Sequence, residues 1–179
     1  TMILPKPRKI DVERYVGGLS KLKEIDNPIK LSANESALGP SPKALEAFER
    51  DKDKIFRYPE SDSTSLRNVI AKSFNINEER IICGSGSDQI FDLTCRLFIE
   101  PGDEVIVTEF GFIMHRIYAS LYQAKVISAK EENFKASVDE ILKKVSNKTK
   151  IVFIANPNNP TGTYISKNSM LNLRKRLRS

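Results

Sequence analysis

Gly84-Ser85-Gly86-Ser87-Asp88 is the first of three short segments of this 179-residue chain whose residues could bind a phosphorylated ring. The segment follows an apolar run and precedes a helical pattern. Glycines allow a backbone to approach a ligand closely, and the free N–H groups at a helix start attract anions. The spacing matches neither a dinucleotide fingerprint nor a nucleotide P-loop. A phosphate site on a small molecule and a plain glycine-rich turn are therefore the two interpretations.

Phe112 and Asn159 stand in the other two segments, each shortly after a predicted strand. Phe112 could stack on a flat ring, and a core phenylalanine is its alternative. Asn159 belongs to Asn-Pro-Asn-Asn-Pro-Thr-Gly at 156–162, where its amide could bond a ring hydroxyl; the alternative is a polar turn. Because carboxyl ends of parallel strands share one sheet edge, the three segments together indicate a flat, phosphorylated, heteroaromatic ligand.

The elements that must position these residues alternate between strands and helices from residue 80 onward. The predicted strands are 81–83, 104–108, 125–129 and 150–155. The predicted helices are 89–99, 110–122, 138–145 and a last one capped by Ser166. The apolar run at 151–155 predicts a strand that is buried on both faces. This order predicts an α/β fold with three layers, in which a mainly parallel, doubly wound sheet lies between helices.

Earlier in the chain, residues 1–30 predict an extended arm with a short helix at most, and helices are predicted after Ser41 and over 61–74. The net charge is +6 with a pI near 9.3, but the basic residues are scattered, which argues against nucleic acid as a partner. No apolar run has the length of a membrane span or a signal peptide, so a cytoplasmic protein without a membrane partner is expected. Cys83 and Cys95 fit no metal spacing and are expected in the core; no metal site is expected.

His115 is the single histidine, and it lies within the predicted helix 110–122. Any Ser-His-Asp or Cys-His catalytic arrangement would have to be built on this residue. A histidine packed within the helix is the interpretation preferred over a catalytic base. Tyr58 could donate a hydrogen bond to a phosphate, and a half-buried structural tyrosine is its alternative.

A set of motifs in fixed order extends these observations. They are Leu31-x-x-Asn34-Glu35, Gly39-Pro40-Ser41-Pro42, Arg57-Tyr58-Pro59, Gly86-Ser87-Asp88, Pro101-Gly102-Asp103 and the Asn-Pro-Asn-Asn-Pro-Thr-Gly motif at 156–162. From about Tyr15 to the last residue, the chain resembles the fold-type I pyridoxal-phosphate aminotransferases of class I/II. Within them it is most similar to the histidinol-phosphate aminotransferases. The resemblance implies pyridoxal 5′-phosphate as the cofactor.

The resemblance also implies a role for each candidate site residue. Gly86, Ser87 and Asp88 would hold the cofactor phosphate through backbone N–H groups and the helix terminus. Phe112 would stack on the pyridine ring, and Asn159 would donate a hydrogen bond to the ring phenolate oxygen.

Three further residues receive roles in the same way. Tyr58 would reach across a homodimer interface to the phosphate that the partner subunit binds. Tyr15 and Asn34 would lie near the substrate, a small-molecule amino donor or 2-oxo acid. Residues 1–40 would then form an arm for substrate and dimer contacts, and 41–179 the N-terminal part of the large cofactor-binding domain.

No catalytic residue is expected within the chain itself, since the resemblance implies a Schiff-base lysine beyond Ser179, together with a C-terminal small domain. The implied reaction is transamination between histidinol phosphate and 2-oxoglutarate in histidine biosynthesis, with the isolated chain inactive. The alternatives are another amino-acid aminotransferase or a threonine-phosphate decarboxylase of the same fold. A fragment that only binds a phosphate ligand or a partner subunit is the non-enzyme alternative.

Overall fold

A computed structural model describes residues 10–12, 14–19, 23, 25–26 and 28–177. This part of the chain divides into two compact units. One is Val16–Cys83, and the other begins at Gly84 and includes the described residues before Val16. The predicted arm over residues 1–40 lies partly outside the described residues, and the predicted domain division at residue 40 stays a prediction.

Five strands lie in the unit that begins at Gly84. They are β1 (Glu104–Thr108), β2 (Lys125–Ala129), β3 (Glu131–Glu132), β4 (Lys135–Ala136) and β5 (Thr149–Phe153). Strands β2, β1 and β5 form a parallel sheet in that order, and β3 pairs with β4 as a short antiparallel hairpin. The predicted parallel sheet is confirmed, whereas the hairpin was not among the predicted elements.

Six α-helices accompany the strands in the described residues. They are α1 (Pro42–Asp51), α2 (Thr64–Phe74), α3 (Gly86–Phe98), α4 (Ile113–Leu121), α5 (Val138–Lys144) and α6 (Lys167–Arg176), with 3-10 turns at Lys52–Lys54 and Glu78–Arg80. Each matches a predicted helix within three residues at its start. Ser137 and Ser166 cap α5 and α6, because their hydroxyl oxygens accept hydrogen bonds from the N–H groups of Glu140 and Ser169.

Strand β1 is the centre of the sheet, and all five of its residues are buried. One sheet face packs against α3 and α4 through the cluster Cys95, Ile99, Val105, Val107 and Ala119. The other face packs against α5 and α6 through Ile106, Ala129, Ile141 and Leu173. Successive β1 side chains therefore enter opposite cores, as strand geometry requires, and the unit has the three α/β/α layers that were predicted. Cys95 lies in the core as expected, whereas Cys83 is half-buried.

Two strand predictions are wrong in part. Residues 81–83 are not in a strand, although Ile81 has an extended backbone (φ −113°, ψ 125°). The strand predicted at 150–155 exists as β5, but its residues are half-buried or exposed. In the described sheet β5 lies at an edge and pairs only with β1, so it has a neighbouring strand on one side alone.

The unit Val16–Cys83 contains α1 and α2, neither of which has a fully buried residue. Ser41 occupies the N-cap of α1 as predicted, but its side chain makes no capping hydrogen bond. Helix α2 begins at Thr64 rather than at 61, after Ser63 adopts a left-handed backbone. The Glu60 carboxylate accepts bonds from the N–H and hydroxyl of Ser65, which lower its pKa.

Among the residues that the structure describes, none of the helices combines the length and apolar character needed to cross a membrane.

Candidate functional site

Helix α3 begins within the glycine-serine segment 84–88, so the candidate phosphate site lies at the start of a 13-residue helix. The Gln89 side chain accepts a hydrogen bond from the Ser85 N–H (2.5 Å), and the Gly86 N–H donates to the Gly84 carbonyl (2.8 Å). The N-cap Ser85 makes no side-chain capping bond. The N–H groups of Ser87 and Asp88 therefore point out of the helix start without an intrahelical acceptor. This is an arrangement that favours an anion.

The two glycines of the turn have different reasons to be glycine. A Cβ on Gly84 would lie 2.8 Å from Gln89 Oε1, so the side chain that bonds Ser85 can approach only because Gly84 has none. Gly86 has φ +80°, a conformation that L-residues rarely adopt, and no atom of the described residues lies within 4 Å of the position that its Cβ would take. Open space therefore faces the start of α3.

Phe112 is the N-cap residue of α4, at the end of the turn that follows β1. It is half-buried, so part of its ring stays accessible. The preceding Gly111 donates its N–H to the Thr108 carbonyl (3.2 Å), and a Cβ on Gly111 would lie only 2.3 Å from Thr108 Oγ1. The tight turn that places Phe112 thus depends on a glycine beside a buried threonine.

An aromatic cluster joins the ends of these elements. Phe91, one turn beyond the glycine-serine segment, makes edge contacts with Phe112 (6.3 Å between ring centroids), His115 (4.7 Å) and Phe153 (5.6 Å). His115 in turn stacks on Phe153, the last residue of β5, with centroids 4.9 Å apart and planes 12° apart. The cluster therefore brings the second turn of α3 and the first turn of α4 to the carboxyl end of β5.

Burial decides the charge state of His115, which is only 5% exposed. The loss of solvent lowers its pKa from 6.5 to about 4, so the imidazole is neutral at neutral pH. This agrees with the predicted role as a packed helix histidine. The pKa of the nearby Tyr118 is raised, first by burial and then by the carboxylates of Asp88 and Asp92.

The asparagine-proline loop after β5 is closed by its first residue. The Asn156 amide donates to the Ile165 carbonyl (3.0 Å) and accepts from the Ile165 N–H (2.8 Å). Inside this closure, the Asn158 N–H donates to the Thr163 carbonyl and the Gly162 N–H donates to the Asn158 carbonyl. The loop is therefore held by hydrogen bonds between its own polar groups. Asn159 is not needed for these bonds.

Asn159 is half-buried, and no hydrogen bond to its side-chain amide exists among the described residues. Its neighbour Asn158 is 5% exposed and donates to Thr161 Oγ1 (3.0 Å), while its Oδ1 is buried without a partner in the described part of the chain. A loop held this firmly presents the Asn159 amide as a donor and acceptor at the carboxyl edge of the sheet.

The remaining predicted site residues are not part of this cluster of contacts. Tyr58 and Asn34 belong to the unit Val16–Cys83, and Tyr58 is fully exposed. Tyr15 is 52% exposed and Asn34 is exposed. Their assignments to phosphate and substrate stay predictions.

Sequence reasoning missed the residues that hold the site together. Phe91 and Phe153 have the pattern of ordinary apolar positions in a helix and a strand, and no spacing rule connects residues so distant in the chain. Asn156 was one of three asparagines in the motif, and only its two bonds to Ile165 distinguish it from Asn159.

Comparison with known proteins provides the family. The sequence pattern of the family described as Aminotransferase class I and II matches residues 26–179. A histidinol-phosphate aminotransferase from Pelagibacter ubique (strain HTCC1062) is 51% identical over 98% of this chain and 49% of the relative. The chain spans about half the length of the curated relatives it matches.

Solved structures share the fold. A histidinol-phosphate aminotransferase from Sinorhizobium meliloti, in complex with pyridoxal-5′-phosphate, has a TM-score of 0.77 at 21% identity and covers 80% of this chain and 40% of that chain. An aspartate aminotransferase from Rhizobium meliloti has a TM-score of 0.74 at 19% identity, with 82% and 40% covered. Because the family pattern matches most of the chain, this protein belongs to the class I and II aminotransferases.

Proposed function

We propose that the chain forms one wall of a pyridoxal 5′-phosphate site in an aminotransferase. The observation that carries the proposal is the meeting of the α3 start, Phe112 and the end of β5 around Phe91. These elements bear the anion-binding turn, an aromatic ring and the loop whose Asn159 amide has no partner among the described residues. A phosphorylated pyridine with a ring hydroxyl needs those three kinds of contact.

The donor set fits the cofactor at each point. The N–H groups of Ser87 and Asp88 have no acceptor within the helix, and the space beside Gly86 is open. Both features suit a phosphate. The half-buried ring of Phe112 suits stacking on a flat heterocycle. The amide of Asn159, which has no protein partner in the described residues, suits the ring oxygen.

Each of these residues then has a definite task. The α3 start binds the phosphate, and because its backbone is already ordered, little entropy is lost on binding. Phe112 fixes the plane of the ring and excludes water from one face. Asn159 donates to the ring oxygen and favours its ionised form. Pyridoxal phosphate, when bound, supplies the electron-withdrawing ring on which transamination depends.

For the parent enzyme we propose exchange of an amino group between histidinol phosphate and 2-oxoglutarate. The support is the 51% identity to a histidinol-phosphate aminotransferase and the shared motifs. Because the chain spans about half of that relative, the proposal assigns the cofactor-binding lysine to sequence outside these 179 residues. The isolated chain is then expected to bind the cofactor without turning over substrate.

We further propose that the protein is a homodimer in the cytoplasm. Tyr58 supports the dimer, since a fully exposed tyrosine next to Pro59 is free to contact a second subunit. Tyr15 and Asn34 are assigned to the substrate side of the site, and both are exposed in the described chain.

A second candidate is an aminotransferase for another amino acid, because an aspartate aminotransferase has the same fold. Two further candidates are a threonine-phosphate decarboxylase of the same fold and a fragment that only binds phosphate or a partner subunit. Substrate screening of the full-length parent enzyme, which contains this sequence, would distinguish the enzyme candidates.

The experiment for the chain itself uses pyridoxal 5′-phosphate and borohydride reduction, followed by mass mapping of modified lysines. We expect saturable binding, no transamination and no single lysine that is modified in preference to the rest. Stoichiometric modification of one lysine, accompanied by turnover of histidinol phosphate, would contradict the assignment of the catalytic lysine to sequence outside this chain.

A further inference from the structure

The short hairpin of β3 and β4 (131–136) contacts both loops that carry the proposed ring-binding residues. One of these loops, 109–112, ends at Phe112, and the other, 156–165, contains Asn159. The hairpin itself contributes no residue to the proposed cofactor contacts. Its contacts with the two loops therefore have a role other than direct contact with the cofactor.

Contacts with the first loop are reciprocal. The Phe110 N–H donates to Glu131 Oε1 (3.2 Å), and the Glu131 N–H donates to Glu109 Oε2 (3.1 Å). The Phe110 ring lies 5.2 Å from the ring of Phe134, in the turn of the hairpin. Two hydrogen bonds and one aromatic pair thus fix the residues immediately before Phe112.

Contacts with the second loop run through hydroxyl groups. Thr163 Oγ1 donates to the Phe134 carbonyl (2.7 Å), so its single proton is committed to that bond. In the 2.9 Å contact between the two threonine hydroxyls, Thr161 must therefore be the donor to Thr163. Thr161 in turn accepts from the buried Asn158 amide (3.0 Å). All three bonds point toward the hairpin, an alignment in which each polarises the next.

A further contact strengthens the connection. The Lys135 ammonium of β4 lies 5.8 Å from the centroid of the Tyr164 ring, within cation–π range. The hairpin also carries an unfavourable feature, because Glu131 Oε2 is buried and has no hydrogen-bond partner among the described residues. Burying this oxygen without a partner costs free energy. The carboxylate keeps this position while its other oxygen accepts the Phe110 N–H, which indicates that the contact with the loop is important.

We propose that the β3–β4 hairpin positions Phe112 and Asn159 together, with Glu131 and Thr163 as its positioning residues. This inference rests on the proposed function, because it assigns the two loops to one bound ring. The hairpin couples the stacking residue to the hydrogen-bonding residue, so that loosening either connection disturbs both.

Amide hydrogen exchange of the free chain tests the coupling without any cofactor. The reporters are the N–H groups of Glu109 and Gly111 in one loop and of Asn158 and Gly162 in the other, all of which are hydrogen-bonded. Glu131→Ala and Thr163→Val each remove one connection. We expect each variant to raise exchange about fivefold in both loops, the effect of losing one hydrogen bond.

Matched variants separate positioning from general loss of stability. Glu131→Gln and Thr163→Ser keep the bonding oxygen and should restore wild-type exchange. Thr149→Val removes a hydroxyl that accepts the Ser146 N–H at the opposite end of β5, and it should change neither loop. Phe134→Leu alters a 61%-exposed ring, which keeps the test available if another variant does not fold, and it should also affect both loops.

Changes confined to the loop that each variant touches would overturn the proposal. A second arm uses pyridoxamine 5′-phosphate and follows the ionisation of its ring hydroxyl by absorbance. Loosening the hairpin should move the ionisation midpoint up toward that of the free compound, because Asn159 no longer favours the ionised form. If the wild-type chain does not bind this compound, the proposed cofactor assignment fails, and the exchange result alone decides the role of the hairpin.

Discussion

His115 stacks on Phe153, with ring centroids 4.9 Å apart and ring planes 12° apart. The contact joins the first turn of α4, just beyond Phe112, to the carboxyl end of β5, and the imidazole in it is buried and uncharged at neutral pH. A proton on that ring would have to be held in a pocket of aromatic side chains, away from solvent. The packing of the candidate site is therefore linked to pH through a residue outside the proposed cofactor contacts.

The first prediction concerns this linkage. Burial lowers the pKa of His115 from 6.5 to about 4. As pH falls from 6.5 to about 4, the unfolded chain binds a proton that the folded chain does not, so stability is present above this window and lost as pH falls through it. His115→Phe keeps a ring and removes the titration. Across this range the wild type should lose about 1–3 kcal/mol more unfolding free energy than the variant, measured by urea denaturation.

Equal pH dependence of the two proteins would show that His115 does not titrate as its burial requires. Carboxylates that titrate in the same pH range contribute equally to the stability of variant and wild type, so their contribution cancels in the difference between the two proteins. Glu104, for example, has a lowered pKa because it accepts a hydrogen bond from Ser146 and then because Lys125 pairs with it.

A second prediction uses two helix starts that share the same residue type. Ser137 Oγ accepts a hydrogen bond from the Glu140 N–H, whereas Ser41 makes no capping bond. Ser137→Ala should therefore lower the free energy of unfolding by about 1 kcal/mol, and Ser41→Ala by only a few tenths. Thermal or urea unfolding gives both values, and a larger loss for Ser41→Ala would contradict the hydrogen bonding at these caps.

The sheet core gives a third prediction. Ile106 is fully buried at the centre of β1 and packs among residues of α5 and α6. Ile106→Ala should destabilise the chain by about 2–5 kcal/mol and Ile106→Val by about 0.5–1.5 kcal/mol, because the first change leaves the larger cavity. Leu38, which is 96% exposed, is the control, and Leu38→Ala should cost about 0.5 kcal/mol or less. Similar losses for Ile106→Ala and Leu38→Ala would contradict this core.

Gly86 provides a fourth prediction, in which stability and binding change together. Its φ of +80° should make Gly86→Ala cost about 1–2 kcal/mol of unfolding free energy through backbone strain alone, since open space surrounds the added methyl group. Relief of that strain would move the N–H groups of Ser87 and Asp88, so binding of pyridoxamine 5′-phosphate should weaken as well. Gly102→Ala, at φ +94° in the turn before the amino end of β1, should strain the backbone without affecting binding.

Much of the architecture was predictable from local pattern. Strand β1 and strand β2 lie at the predicted residues, because a short apolar run between a turn and a helix signal has few other solutions. The caps at Ser137 and Ser166 follow from the same local chemistry. The three-layer fold followed from the alternation of these elements.

The incorrect or missing predictions concern features that depend on residues distant in the sequence, which a local pattern does not reveal. Residues 81–83 have the apolar, β-branched character of a strand, but strand pairing is a property of two segments, and none is paired with them in the described structure. The residues of β5 could not be distinguished from those of a central strand, because edge position is decided by sheet order. The hairpin at 131–136 has two residues a strand, too short for any alternation to be visible.

The candidate site divides in the same way. Gly86, Phe112 and Asn159 were recognisable because turn chemistry, an aromatic after a strand and an asparagine-proline motif are local signals. The contacts of Phe91 with Phe153, and of Thr163 with Phe134, join residues distant in sequence. Such contacts become visible only when the fold brings the two segments together.

Binding of pyridoxamine 5′-phosphate to the purified chain tests the central claim most directly. This compound carries the ring and phosphate of the cofactor but has no aldehyde to react with surface lysines. Fluorescence titration of the wild type should show saturable one-to-one binding, about tenfold weaker for Asn159→Ala, the loss expected for a hydrogen bond to a charged oxygen. The control Asn168→Ala, at an exposed position of α6, should bind like the wild type. Absence of saturation, or equal affinity of Asn159→Ala and the wild type, would contradict the assignment of this edge of the sheet to the cofactor.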